Sequence, residues 1–100
     1  MIKVNEYFDG DVKSLRAESE GQEFTVGIVS PGIYNFSTEK NEHITVTLGQ
    51  LEVKLPGTDW QKVNLGETIM IPAKMGFQLR ADLTSSYLCM YKRRGGIAGP

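Results

Sequence analysis

Residues 44–55 read ITVTLGQLEVKL, and their pattern sets the expectation for the whole chain. Apolar side chains alternate with polar or small ones at Ile44, Val46, Leu48, Leu51, Val53 and Leu55. Alternation with a period of two is typical of β-strands that bury one face. Because Gly49-Gln50 separates the two runs, the pattern predicts a β-hairpin with this pair at its tip.

The same alternation returns along the rest of the chain. It is found at Phe24, Val26 and Ile28, at Ile69 and Ile71, and at Phe77 and Leu79. Residues 86–92 are apolar on both faces, which predicts a central, covered strand. Residues 12–21 lack a sustained apolar period of three to four, so no helix is predicted there. About seven to ten short strands in one domain indicate an all-β sandwich or barrel, because both arrangements protect strand edges.

Length and composition exclude several classes of protein. One hundred residues make one domain, and 40% hydrophobic with 23% charged residues is typical of a globular chain. The formal net charge of -1 argues against a nucleic-acid partner. We expect the domain to occupy residues 1–94 and the Gly-rich residues 95–100 to form a flexible tail.

The single cysteine and the single histidine exclude two further classes of protein. One cysteine cannot form an intramolecular disulfide, and one histidine cannot supply a multi-histidine metal site. No apolar stretch approaches the roughly 20 residues that span a membrane, so no membrane partner is expected. Together these features predict a cytoplasmic protein.

Two segments, 32–53 and 66–77, resemble the two motifs of the cupin superfamily of small β-barrels. The first motif is GxxxxxHxH followed by a glutamate, and the second is a glycine and a proline followed by a histidine. With the motifs aligned on Glu42 and Pro72, the histidine places are held by Phe36, Thr38 and Phe77. The resemblance implies an all-β, single-domain cupin fold, a double-stranded β-helix or jelly-roll barrel.

Only Glu42 remains of the four cupin metal ligands. A lone carboxylate among phenyl rings cannot hold a transition metal, which needs three or four N, O or S donors. His43 does not restore the site, because neighbouring residues on a strand point to opposite faces. We therefore expect no metal and no other cofactor.

A closer resemblance runs from Asn5 to Tyr91. Its positions are Asn5-Glu6-Tyr7-Phe8, Val12-Lys13-Ser14, Pro31-Gly32, Tyr34, Phe36, Thr38, Glu42, Thr45-Val46, Gly49, Leu51, Val53, Leu55-Pro56-Gly57, Trp60, Gly66, Ile71-Pro72-Ala73, Phe77, Tyr87-Leu88-Cys89 and Tyr91. This combination resembles the cupin-type pyrimidine/purine nucleoside phosphorylases, formerly a small-cupin family of unknown function. The visible departures are His43 and the tail after Tyr91, and neither touches a candidate catalytic residue.

The resemblance implies a homodimeric pentosyltransferase of broad specificity. Such an enzyme uses inorganic phosphate as co-substrate to split the N-glycosidic bond of purine and pyrimidine nucleosides, giving free base and ribose 1-phosphate. The chemistry requires groups that hold an anion, hold a flat base, and stabilise positive charge at the anomeric carbon.

Aromatic residues are the candidates for holding the base, because stacking tolerates any nucleobase. Tyr34, Phe36 and Phe77 come first, since two of them occupy cupin ligand places, and Tyr87 and Tyr91 are further candidates for the cavity wall. The alternative for each ring is an ordinary position in the core.

Polar candidates complete the predicted site. Glu42 can accept hydrogen bonds from ribose hydroxyls and stabilise oxocarbenium character, and Thr38 can donate to phosphate or ribose. For phosphate the sequence offers Lys74 in a turn, with Lys13, Arg16 and Arg80 elsewhere, although Arg80 should face away from the cavity.

The alternative for each of these residues is a structural role without contact to substrate. Glu42 could be a vestigial carboxylate, Thr38 an ordinary strand threonine and Lys74 a surface turn residue. Cys89, in an apolar strand, is interpreted as a buried thiol rather than a nucleophile. For the whole protein, the main alternative is a non-catalytic small-molecule-binding or regulatory cupin.

Overall fold

The computed structural model describes residues 1–92 and is built almost entirely of β-strands. The strands are β1 Lys3–Tyr7, β2 Val12–Ser19, β3 Gln22–Val29, β4 Gly32–Ser37, β5 Asn41–Leu48, β6 Leu51–Lys54, β7 Gln61–Val63, β8 Thr68–Ile71, β9 Gly76–Ala81 and β10 Ser85–Lys92. One short 3-10 turn, Phe8–Gly10, joins β1 to β2. The all-β prediction is confirmed, and residues 12–19, where no helix was predicted, form a strand. The tail predicted at 95–100 lies outside the described residues.

The strands form two antiparallel sheets that pack face to face as a jelly-roll. The larger sheet has six strands in the order β1-β2-β3-β10-β5-β8, and the smaller has four in the order β4-β9-β6-β7. Hydrogen bonding does not close the two sheets into a continuous barrel, but the arrangement is that of a cupin jelly-roll. Residues 1–92 contain no helix that could span a lipid bilayer.

The hairpin predicted at Gly49-Gln50 is wrong. Strand β5 pairs with β10 and β8 in the larger sheet, whereas β6 pairs with β7 and β9 in the smaller one. The chain therefore crosses between sheets at this pair. Gly49 has a φ of 82°, and a Cβ there would lie 2.3 Å from Ser85 Oγ, so the sharp crossing requires glycine.

A bulge explains why Leu48 does not share the buried face of Ile44 and Val46. The β5–β10 register shifts between Ser86 and Tyr87, and Leu48 is 66% exposed. An extra residue in one strand reverses the direction of the side chains beyond it.

The central position predicted for residues 86–92 is confirmed, because β10 lies between β3 and β5. Its inward side chains include the buried Cys89, while Leu88 and Met90 on the outer face are half-buried. In β3 the alternating apolar residues Val26 and Ile28 also lie on the outer, exposed face. Period-two patterning gives the parity of a strand but not which face is covered.

The hydrophobic core fills the space between the sheets. Its fully buried members include Val12, Val29, Val46, Val53 and Ile71, which come from both sheets. Burying one such side chain contributes about 1.5–3 kcal/mol, so this packing holds the two sheets together. Aromatic and polar side chains replace the aliphatic ones beside this core, where a cleft opens between the sheets.

Candidate active site

The cleft is lined by aromatic rings from both sheets and by one carboxylate, and its volume is about 100 Å³. Phe36 on β4 and Phe77 on β9 stack with ring centroids 5.9 Å apart. Tyr7 and Phe8 meet Phe36 edge-on, each at 5.4 Å. The turn Phe8–Gly10, which holds the Phe8 ring against Phe36, has positive φ at all three residues. This backbone conformation is strained at Phe8 and Asp9, which are not glycine.

Glu42 is the acid of the cleft, and β5 carries it on the inward face beside Ile44. Burial raises the pKa of its carboxyl, while a hydrogen bond from Cys89 and the charge of Arg16 oppose that rise. The Cys89 thiol lies 3.6 Å from Glu42 Oε1. Within residues 1–92 Glu42 forms no salt bridge.

Tyr87 and Tyr91 form the wall on the larger sheet. Tyr87 lies over Gly27, where a Cβ would come within 2.4 Å of the tyrosine ring. Burial raises the pKa of Tyr87 to about 12, and a hydrogen bond with Ser14 opposes that rise. The Tyr91 hydroxyl lies 3.1 Å from Thr25 Oγ1, and burial raises its pKa as well. Both phenols therefore keep their protons and can donate hydrogen bonds.

Arg16 brings positive charge to the edge of the cleft. Its guanidinium lies 4.6 Å from the centroid of the Tyr91 ring, and Glu23 pairs with it at 3.1 Å. Arg16 shares the inward parity of Ser14 on β2. Its charge favours the ionised form of Glu42.

Five of the predicted site residues come together in this cleft. They are Phe36, Glu42, Phe77, Tyr87 and Tyr91. The cupin register thus places the two phenylalanines on the cavity wall, as expected. Their roles in binding and catalysis remain predictions.

The other predicted residues lie elsewhere. The Tyr34 hydroxyl donates to the carbonyls of Ser30 and Pro31 at 2.8 and 3.1 Å, so this buried ring anchors the start of β4. Lys74 is exposed in the turn before β9, with a φ of 57°, and does not line the cleft.

Thr38 follows the last residue of β4 and is fully buried. Its hydroxyl donates to the Pro72 carbonyl at 2.7 Å and accepts from the Met75 amide at 3.0 Å. The side chain therefore fastens the loop before β9. The contact between Thr38 and substrate that the sequence predicted is therefore not included in the proposed site.

The donor set of the cleft does not fit a transition metal. Two of the cupin histidine places hold phenylalanine and the third holds the Thr38 hydroxyl, which is already engaged with backbone groups. Among residues 1–92 no cluster of three or more His, Cys, Asp or Glu side chains is found. Glu42 alone cannot supply the ligands that such a metal needs.

The cleft also has lining residues that sequence reasoning did not assign to the site, among them Tyr7, Ser14 and Cys89. Cys89 shares the parity of Tyr87 and Tyr91, so the alternation of β10 was a sufficient signal for its direction. Ser14 is likewise in phase with the buried Val12. Tyr7, on the edge strand β1, has no comparable signal in the sequence.

Comparison with known proteins extends over nearly the whole chain. The family described as pyrimidine/purine nucleoside phosphorylase matches residues 2–91. Proteins carrying that name from Magnetococcus marinus and Alcanivorax borkumensis are each 47% identical over 92 residues, covering 91% of this chain and 99% and 98% of theirs.

Solved structures share the fold of this chain. A protein of unknown function from Vibrio parahaemolyticus is 40% identical, with a TM-score of 0.89 covering 92% of this chain and 99% of that one. A cupin-2 domain protein from Shewanella frigidimarina, 19% identical, has a TM-score of 0.66 covering 77% of this chain and 76% of its own, and shows the shared fold. The chain belongs to the pyrimidine/purine nucleoside phosphorylase family.

Proposed function

We propose that the protein is a nucleoside phosphorylase that acts without a metal. A phosphate oxygen bonds to the anomeric carbon of the nucleoside while the N-glycosidic bond breaks. The electron pair of that bond goes to the base nitrogen, which takes up the proton that phosphate loses on forming the ester, and the products are free base and ribose 1-phosphate. The names of the relatives and the lining of the cleft support this proposal.

Glu42 carries the proposal. It is a half-buried carboxylate among aromatic rings, and no cation of the described chain pairs with it directly. A negative charge in such a site stabilises positive charge that develops on the sugar more strongly than the same charge in water. Its oxygens can also accept hydrogen bonds from ribose hydroxyls.

The aromatic walls support broad specificity for purine and pyrimidine bases. Phe36 and Phe77 on one sheet face Tyr87 and Tyr91 on the other. Ring faces bind any planar base without reading its edge, at about 1–3 kcal/mol per stacked base. This lining suits a pentosyltransferase with many nucleoside substrates.

For phosphate, we propose Arg16 ahead of Lys74. The Arg16 guanidinium lies against Tyr91 at the cleft, whereas Lys74 is exposed in a turn outside it. We expect Arg16→Gln to raise the KM for phosphate about tenfold, because a charge-assisted hydrogen bond is lost. Lys74→Gln should leave that KM within about twofold of wild type when both are measured by base release under saturating nucleoside. Equal effects of the two substitutions would remove Arg16 from the phosphate site.

We also propose a homodimer formed through the outer face of the larger sheet. Val4, Leu15, Val26 and Leu88 are paired in register across four neighbouring strands and form one apolar row. The first three are 66%, 49% and 46% exposed. A contiguous exposed apolar row on a sheet is a feature of subunit interfaces.

The cytosol is the proposed location. The buried Cys89 donates its thiol hydrogen to Glu42, and this contact needs a reduced sulfur. Reduced thiols persist in the cytosol.

The experiment measures base release. Metal-stripped protein is incubated with uridine, adenosine or inosine, with and without phosphate, and free base and ribose 1-phosphate are quantified. We expect phosphate-dependent release that chelator leaves unchanged. Nucleoside binding without base release would favour the regulatory cupin, and activity restored only by added metal would overturn the metal-free mechanism.

Glu42→Gln tests the assigned residue within the same assay. The substitution keeps the shape and removes the charge, so we expect kcat to fall about 100-fold or more while the melting temperature changes by only a few degrees. Glu39→Gln, in the loop between β4 and β5, is the matched control and should retain full activity. Unchanged turnover in Glu42→Gln would exclude the carboxylate from the mechanism.

A further inference from the structure

A hydrogen bond joins the acid of the cleft to the neighbouring strand. In the register of β5 and β10, Tyr91 lies opposite Glu42 and Cys89 lies opposite Ile44. Cys89 is therefore the diagonal neighbour of Glu42 on the same inward face, within reach of a long side chain. Its Sγ lies 3.6 Å from Glu42 Oε1.

The thiol is the donor of this bond. Cys89 is only 1% exposed, and burial together with the negative charge of Glu42 raises its pKa to about 12. The proton consequently stays on sulfur at neutral pH, and the S–H group points its hydrogen at the carboxylate. A nucleophilic role would need the thiolate, which this environment disfavours.

Glu42 has few other groups to hold it. The titratable and charged groups that face it are Arg16 on β2 and Tyr87, Cys89 and Tyr91 on β10, with Tyr7 on β1 lining the same cleft. On its other side, β8 presents the aliphatic Ile71. Among residues 1–92, the side chain that donates a hydrogen bond to the Glu42 carboxylate is Cys89.

We propose that Cys89 is a positioning residue for Glu42. The Cys89 thiol fixes the orientation of the Glu42 carboxylate against β10 and favours the ionised form of that carboxylate. The inference rests on the proposed function, in which Glu42 acts as an anion. A carboxylate with one oxygen fixed by a donor has less rotational freedom, so the other oxygen is held ready for the sugar. The thiol contributes through Glu42 and needs no contact with substrate.

Two variants of similar size separate the hydrogen bond from packing. Cys89→Ser keeps a hydrogen-bond donor, and Cys89→Val fills the space without one. The first readout is kcat/KM for uridine as a function of pH. The second is the ¹³C titration of the Glu42 side-chain carboxyl in substrate-free protein, assigned by comparison with Glu42→Gln.

We expect Cys89→Val to lower kcat/KM about five- to tenfold on the acidic side of the pH profile and much less on its alkaline side, because loss of the donor makes Glu42 harder to ionise. Its carboxyl signal should titrate at higher pH than in wild type. Cys89→Ser should follow the wild-type profile in both readouts. If Cys89→Val does not fold, Cys89→Ala takes its place.

The outcomes distinguish this inference from the proposed function. Equal loss of activity at every pH in both variants, with an unchanged carboxyl titration, would show that Cys89 only packs and would overturn the proposal. If wild-type protein releases no base, the proposed function fails, yet the carboxyl titration still decides the Cys89–Glu42 contact. A shifted titration in Cys89→Val but not in Cys89→Ser would uphold that contact.

Discussion

The ring of Tyr87 rests on Gly27, and this close approach shapes one wall of the cleft. A Cβ at Gly27 would lie 2.4 Å from the tyrosine Cζ, so any larger residue must displace the ring. We expect Gly27→Ala to raise the KM for nucleosides about tenfold and to destabilise the fold by about 1–3 kcal/mol, the usual cost of overpacking. Steady-state kinetics and denaturant unfolding measure the two effects.

Gly76→Ala is the control for this substitution. Gly76 also lies in a strand without positive φ, and the nearest atom to an added Cβ is 3.9 Å away. We expect Gly76→Ala to leave both the KM for nucleosides and the free energy of unfolding close to wild type. A normal KM in Gly27→Ala would show that the position of Tyr87 does not matter for binding.

At the scale of elements, Thr38 ties the end of β4 to the loop before β9. Its hydroxyl and backbone bind Pro72, Lys74 and Met75. Thr38→Val removes the hydroxyl and leaves the Pro72 carbonyl and Met75 amide without their partner, so we expect a loss of about 1–3 kcal/mol in the free energy of unfolding. Thr38→Ser, which keeps the hydroxyl, should lose less than half as much.

Activity decides between this structural role and the catalytic role suggested by the sequence. With a structural role, kcat of Thr38→Val stays within about threefold of wild type at a temperature where the variant is folded. A collapse of kcat with unchanged stability would restore the predicted contact with substrate.

The sequence predicted strand parity well and position along the cleft poorly. Phe36, Glu42 and Phe77 point inward as the cupin register indicates, because alternation is a local property of each strand. Thr38 departs from that register since β4 ends at Ser37 and alternation ends with it. Tyr34 lies on the inward face of β4, as its place in the alternation indicates, but its hydroxyl binds the Pro31 carbonyl at the start of the strand. Alternation shows which face a residue is on and not whether that residue reaches the cleft.

The sequence could not predict which strands pair with each other, for a different reason. Two alternating runs separated by Gly49-Gln50 look the same whether the chain turns back on itself or crosses to the facing sheet. In the folded chain the crossing is held by Ser85, which binds the Gln50 backbone from 35 residues away along the chain. The Cys89–Glu42 contact is also long-range, and it follows from the β5–β10 register.

For the whole molecule, the apolar outer face of the larger sheet predicts the assembly state. We expect wild-type protein to sediment as a dimer and Leu15→Asp to sediment as a monomer, because a charge in an apolar interface loses its hydration without a partner. Ile33→Asp is the matched control, since Ile33 is 56% exposed on the other sheet and should leave the dimer intact. Analytical ultracentrifugation at micromolar concentration makes the measurement. A monomeric wild type, or dissociation by Ile33→Asp alone, would contradict the assignment of this face.

The place of β10 also bears on how the protein is made. Among residues 1–92 this strand is synthesised last, yet it lies between β3 and β5 in the middle of its sheet. Until it emerges, the nascent polypeptide has two open strand edges there and lacks Tyr87, Cys89 and Tyr91. Such edges attract other chains, so the growing polypeptide is exposed to aggregation until β10 is synthesised. Completion of this sheet and assembly of the cleft therefore both wait for the synthesis of β10.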